Sequence, residues 1–124
     1  MVVVAAGLSV LLAIAAALQP DARGHGTHEQ LGLPPCTFSI LVGRPCPTCG
    51  MTTAWVWLVR GQVAEASRAN AGGGLLAAAA MIGVPWLLLS ALRGRWLGWT
   101  PNSTALAWAA AAVAAVTLLQ WGWR

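Results

Sequence analysis

Long uncharged apolar runs, separated by a middle section rich in proline and glycine, set the pattern of this chain. Residues 2–18 hold no charge and only Ser9 as a polar side chain, close to the ~17-residue lower limit for a bilayer span. Residues 72–92 form a second uncharged run. At ~1.5 Å per residue, a helix of that length covers a hydrocarbon core of ~30 Å. Pro85 lies inside it and frees the Met81 carbonyl, so a kink is expected near Met81. The third run, residues 104–121, follows Pro101-Asn102, with Ser103 or Thr104 as its cap. The runs lack the polar faces that helices of a water-soluble protein would need. The expected fold is all-α and integral to a membrane. It has two to three transmembrane helices, with short interfacial helices around a cysteine-containing connection at residues 19–71, in one domain.

Composition agrees with this frame. Of 124 residues, 58% are hydrophobic and 8% are charged, and the mean hydropathy is +0.69; soluble domains carry about 25% charged residues. The net charge is +4, and all seven basic residues are arginines. They are scattered, with no basic run and no stacking platform between them, so nucleic acid is not an expected partner. Arginines flanking apolar runs act instead as topology signals and headgroup contacts, the role expected of Arg44, Arg60 and Arg68. Trp96 and Trp99 between the second and third runs, and Trp121 and Trp123 at the end, occupy headgroup-layer positions. Trp86 and Trp108 fall inside spans and read as packing residues.

Small residues recur every fourth position at Ala107, Ala111 and Ala115, at Ala79 and Gly83, and at Ala13 and Ala17. Such stripes let helices approach closely in lipid, within the chain, with other membrane proteins or by self-association. Residues 2–18 also fit the apolar core of a secretory signal, with Ala15-Ala16-Ala17 as a small-residue cleavage site, although no Lys or Arg precedes them. Arg93 and Arg95 in the short connection favour a cytoplasmic position there, which puts the cysteine-bearing connection outside.

That connection carries the candidate chemistry. Pro34-Pro35 force an extended path into Cys36, residues 37–42 are apolar, and Gly43-Arg44-Pro45 turns the chain into Cys46-Pro47-Thr48-Cys49-Gly50. Met51, Ala54, Trp55, Leu58 and Val59 then mark an apolar helical face ended by Gly61. Residues 63–70 form a second short helix closed by Asn70 and the following glycines. Both helices are expected along the membrane surface, with Trp55 and Trp57 dipped into it. Pro47 suits a first helical turn, which would put Cys46 at the positive end of a helix. Gly50 permits the positive φ that turns amides back towards the sulfurs.

Three chemistries compete for these thiols. Cys36, Cys46 and Cys49, with His25 or His28 as the fourth ligand, make a Cys₃His set of the kind that holds zinc. A disulfide fits an oxidising compartment but leaves one of three cysteines unpaired. Thiol–disulfide exchange would use Cys46 as nucleophile and Cys49 as resolving thiol, with a quinone or partner thiol as the other redox partner, but without the βαβ setting usual for that motif. Simple burial as small hydrophobes is the fourth reading. Gly50 occupies the place of the His in a haem-attachment motif, which excludes that role. No nucleophile–base–acid constellation, ATP motif or dinucleotide motif occurs in the sequence, and no charge within the runs marks a transport path.

Residues 24–70 resemble a bacterial domain-of-unknown-function family of small multi-pass membrane proteins. The resemblance rests on Cys36, Gly43, Cys46, Pro47, Cys49, Gly50, Met51, Thr52, Ala54, Gly61 and Asn70. Thr53 stands where that family usually has Arg, and Ala71 where it usually has Pro. The resemblance implies a multi-pass protein of a bacterial inner membrane and supplies no activity. The expectation is therefore a structural or partner-binding membrane protein whose loop is ordered by its thiols, around zinc; the alternative is a membrane thiol oxidoreductase.

Overall fold

The computed structural model describes residues 1–20 and 27–123, apart from the His28 side chain. The described residues form helices and connections, with no strand among them: α1 (Val2–Ala17), a 3-10 turn (Thr27–Leu31), α2 (Thr37–Val42), α3 (Met51–Val59), α4 (Val63–Leu92) and α5 (Ser103–Trp123). Helix α4 packs against α1, α3 and α5, and α1 also meets α3. Two helices, Val63–Leu92 and Ser103–Trp123, are long and apolar enough to span a membrane, and α1 is a shorter apolar helix. Ile82 is 73% exposed, Trp108 74% and Leu119 74%. Large apolar side chains facing outward from two long helices are stable in lipid and costly in water.

Helix α4 is two helices joined at Asn70, whose backbone leaves the helical region (φ −166°, ψ 109°). Its backbone is extended, as at an N-cap, and its Oδ1 accepts the N–H of Gly73 at 2.8 Å, so Asn70 caps the long apolar half. The break also costs the Ala71 N–H its regular helical acceptor, the carbonyl of Ser67. Gln120 of α5 fills that gap: its Oε1 accepts from Ala71 N at 2.6 Å and its Nε2 donates to Ser67 O at 2.6 Å. One carboxamide thus splices the interrupted helix and fastens α5 to it.

The expected kink near Met81 is not where the chain departs from helix: Asn70 is the residue in α4 with non-helical angles. Proline's own φ is helical, so Pro85 removes a hydrogen bond without moving the backbone out of the α region. The short helix expected over residues 63–70 does end at Asn70, where the two halves of α4 join, while Gly72 and Gly73 lie inside the second half. A Cβ on Gly72 would lie 1.8 Å from Thr117 Oγ1 of α5, and one on Gly73 would lie 2.9 Å from the Met51 Cα of α3. These glycines let three helices meet at one level, the use of small residues in membrane packing. The stripes read from the sequence lie elsewhere: Ala107, Ala111, Ala115, Ala79, Ala13 and Ala17 are exposed, whereas Ala66, Ala69, Gly73, Ala77 and Ala80 form the buried face of α4.

Arg60, Arg68 and Trp86 find protein partners. Arg60 donates to Leu18 O at 2.6 Å and Val56 O at 3.0 Å, covering carbonyls at the C-terminal ends of α1 and α3. Ala15, Leu18 and Val56 pack beneath it with Trp55 and Val59. Arg68 pairs with Glu65 at 2.7 Å on the surface. In the α4–α5 connection, Trp86 stacks on Trp96 with centroids 5.5 Å apart, lies 5.9 Å from Trp99, and donates to Leu97 O at 2.9 Å. Trp86 therefore orders the hairpin as well as packing within the span.

Replacing Gln120 with Leu strands the Ser67 carbonyl and the Ala71 N–H. A loss of about 1–3 kcal/mol is expected, the net worth of two hydrogen bonds at about 0.5–1.5 kcal/mol each, read as a lower unfolding midpoint in detergent. Ala111→Leu, on the exposed face of α5, is expected to leave that midpoint unchanged.

Candidate thiol site

Each cysteine is placed by a different local device. Pro34 and Pro35 bring an extended chain to Cys36, which is the N-cap of α2 with φ −63° and ψ 119°. Helix α2 stops at Gly43, whose left-handed conformation (φ 75°) ends the helix. The returning connection is then held from α5. Trp121 Nε1 donates to Pro45 O at 2.7 Å, the Arg44 guanidinium sits 5.3 Å from the Trp121 ring centroid, and Phe38 meets the same ring edge-on. Trp121 thus clamps the loop ahead of the thiol pair, a contact between positions 76 residues apart that no local pattern announces.

Cys46 to Cys49 form a turn closed by Cys49 N to Cys46 O at 3.0 Å. Helix α3 begins only at Met51, after Gly50 at φ 91°. Cys46 is therefore in a turn ahead of the helix, not at its positive end as expected. The left-handed Gly50 separates turn from helix, a conformation that favours glycine. The turn does aim an amide at sulfur: Cys46 N–H donates to Cys49 Sγ at 3.2 Å.

The three sulfurs converge. Cys46 Sγ lies 2.9 Å from Cys49 Sγ and 3.2 Å from Thr48 Oγ1, and the Sγ atoms of Cys36, Cys46 and Cys49 all fall within 4.8 Å of one another. All three are free thiols. In front of them opens a cleft of about 280 Å³, whose lining includes the three cysteines and the hydroxyl residues Thr48, Thr52 and Thr53. Burial pushes the Cys46 thiol up, but hydrogen bonds from Cys49, Thr48 and Cys36 outweigh it and bring Cys46 down to about 7. Burial and the hydrogen bond with Cys46 push Cys49 up to about 12. Above neutral pH the pair therefore becomes one thiolate, on Cys46, hydrogen-bonded by the Cys49 thiol.

Behind the turn stands Asn70, 1% exposed. Its Nδ2 donates to Pro47 O at 3.1 Å and Cys49 O at 3.3 Å, while its Oδ1 caps α4. Sequence reasoning treated Asn70 as a helix end and missed this role. The available signal was a lone Asn immediately before a long apolar run, the pattern of an N-cap. Of the two histidines named as fourth ligands, His25 and the side chain of His28 lie outside the described residues. The neighbour of His28 is placed: buried Thr27 shares a hydrogen bond with Thr53 at 2.5 Å, so the 3-10 turn runs along α3 beside the cleft.

The donor set fits a thiophilic ion. Tetrahedral zinc with Zn–S of about 2.3 Å places sulfurs about 3.8 Å apart, within the span of these three. Closing the site on an ion would part Cys46 and Cys49 by about 1 Å, a small adjustment for two side chains of one turn. Fold and site together define an all-helical protein with apolar helices long enough for a membrane and a compact three-thiol centre. In comparison with known proteins, a family model described as "Protein of unknown function (DUF2752)" matches residues 36–84. The match begins at Cys36 and runs through the thiol turn, α3 and the break into the apolar half of α4, leaving residues 24–35 outside it. The chain is thus similar to that family over its thiol-bearing core. No curated protein and no solved structure matches the chain.

In metal-free protein, iodoacetamide at pH 8 is expected to alkylate Cys46 well before Cys49. The Cys46 rate should climb as pH passes about 7, because the thiolate is the nucleophile. Peptide mapping of the labelled protein checks the order, and equal labelling of the two would contradict it.

Proposed function

We propose that this is a multi-pass protein of a bacterial inner membrane whose Cys36, Cys46 and Cys49 hold zinc, ordering the loop as a structural or partner-binding element. The observation that carries the reading is the convergence of three free thiols within 4.8 Å beside a cleft with room for a fourth ligand. His25 or His28 supplies that ligand in this reading, completing a Cys₃His shell. The apolar length of α4 and α5 supports the membrane setting, and the Arg93–Arg95 pair favours a cytoplasmic hairpin with the thiols on the outer side. The partners are the lipid bilayer and other membrane proteins, or a second copy; nucleic acid is not among them.

Detergent-purified protein is expected to carry about one zinc per chain, measured by elemental analysis. Cys36→Ser, Cys46→Ser and Cys49→Ser should each lose it, and chelation should loosen the loop. His25→Ala and His28→Ala identify the fourth ligand by which of them weakens binding. Because ligands must be deprotonated, binding should release protons. From Cys46 and Cys49 together the release falls from two to one as pH rises past about 7, since Cys46 is then already ionised and Cys49, raised to about 12, is not. Calorimetry in buffers of different ionisation enthalpy reads the count. Folded protein with no metal at any stage would overturn the reading.

One observation favours a second reading, a thiol–disulfide oxidoreductase: Cys46 and Cys49 are 2.9 Å apart and shifted in opposite directions, as a nucleophile and a resolving thiol would be. Cys49→Ala should then accumulate a mixed disulfide between Cys46 and a partner thiol, detectable on non-reducing gels. Absence of any such adduct would remove it.

A further inference from the structure

We infer that Asn70 is the positioning residue of the thiol site: its carboxamide locks the Cys46–Cys49 turn to the membrane helix in the geometry that brings the sulfurs together. The inference rests on the proposal that the thiols act as a centre, but not on which species they bind. Two carbonyls of the turn, those of Pro47 and Cys49, converge on one Nδ2 at 3.1 and 3.3 Å. Holding both fixes the peptide planes on either side of Thr48-Cys49. Those planes carry the Cys49 side chain to the point where it meets both the Cys46 N–H and the Cys46 sulfur.

The holder is itself immobile. Asn70 is 1% exposed, its Oδ1 is occupied by Gly73 N–H, and Gly73 is pressed against Met51, the first residue of α3. Gln120 splints the backbone break on the far side. Turn, α3, α4 and α5 therefore share one fixed point.

The two ends of the carboxamide are chemically separable. Oδ1 caps the helix, which Ser or Asp also does; the Nδ2 protons hold the turn, which needs two donors at that reach. Asn70→Ser keeps a capping oxygen and lacks the second donor and the length. Asn70→Asp keeps the cap and turns a carboxylate on two carbonyls. Both should therefore retain helicity and detergent-solubilised size while losing thiol geometry. Asn70→Ala should lose both.

Two measurements on the full chain in detergent test this. Zinc affinity should fall about 10- to 100-fold in Asn70→Ser and Asn70→Asp, the usual effect of removing a group that orients metal ligands. In a Cys36→Ser background, the equilibrium constant for closing Cys46–Cys49 against glutathione should fall about tenfold, because the sulfurs are no longer held close. That closure oxidises two thiols to one disulfide and reduces one oxidised glutathione to two thiols. If native protein binds no zinc, the metal reading fails while the glutathione measurement still decides the role of Asn70. Asn70→Ser that is folded and closes its pair as readily as the native protein would overturn the inference.

Discussion

A helix interrupted in an apolar setting leaves backbone N–H and C=O groups with no water to turn to, and each must be satisfied by protein. The interruption of α4 at Asn70 is the constraint on which the rest of this structure depends. Two carboxamides meet it from opposite sides. Asn70 caps the new helix start with its own oxygen, and Gln120 inserts between Ser67 O and Ala71 N. Because Gln120 belongs to α5, repairing the break also docks that helix. Because the amide end of Asn70 remains free to donate, the same repair reaches the thiol turn.

The site inherits its character from that arrangement. A tetrapeptide with two thiols is flexible on its own, and three cysteines spread over fourteen positions of sequence stay together only if the turns between them are held. Here Trp121 holds Pro45, Asn70 holds Pro47 and Cys49, and Gly50 reverses the chain into α3. The half-buried pocket this makes would by itself raise both thiols; hydrogen bonds to Cys46 concentrate the charge there and leave the proton on Cys49. A negative charge on Cys46, with two further sulfurs converging on it, is what a thiophilic cation, or an electrophilic sulfur, would meet.

Much of the architecture was legible in the apolar runs, because a helix that must cross hydrocarbon announces itself by length and by absence of charge. The thiol trio was legible too, since Cys36, Cys46 and Cys49 stand among prolines and glycines that force turns. Other features were not legible. Nothing around Pro85 signalled that α4 breaks at Asn70, the alanine stripes did not mark the buried face of α4, and local hydropathy did not announce the protein partners of Arg60 and Trp121. Each depends on a partner distant in sequence: Gln120 at the break, Thr117 and Met51 against the glycines, Leu18 on Arg60, Pro45 on Trp121.

The order of residues alone determined that apolar helices would form, that lipid suits them as solvent, and that a Cys-Pro-Thr-Cys-Gly turn would present two thiols at close range. Those outcomes depend on hydropathy and local backbone preference, which act over a few neighbouring residues. Tertiary structure decided that Asn70 is a cap and a clamp at once, that Gln120 splices the interrupted helix, and that Trp121 holds Pro45. These depend on desolvation and on hydrogen bonds between groups 21 to 76 positions apart, and such terms exist only once the helices have packed.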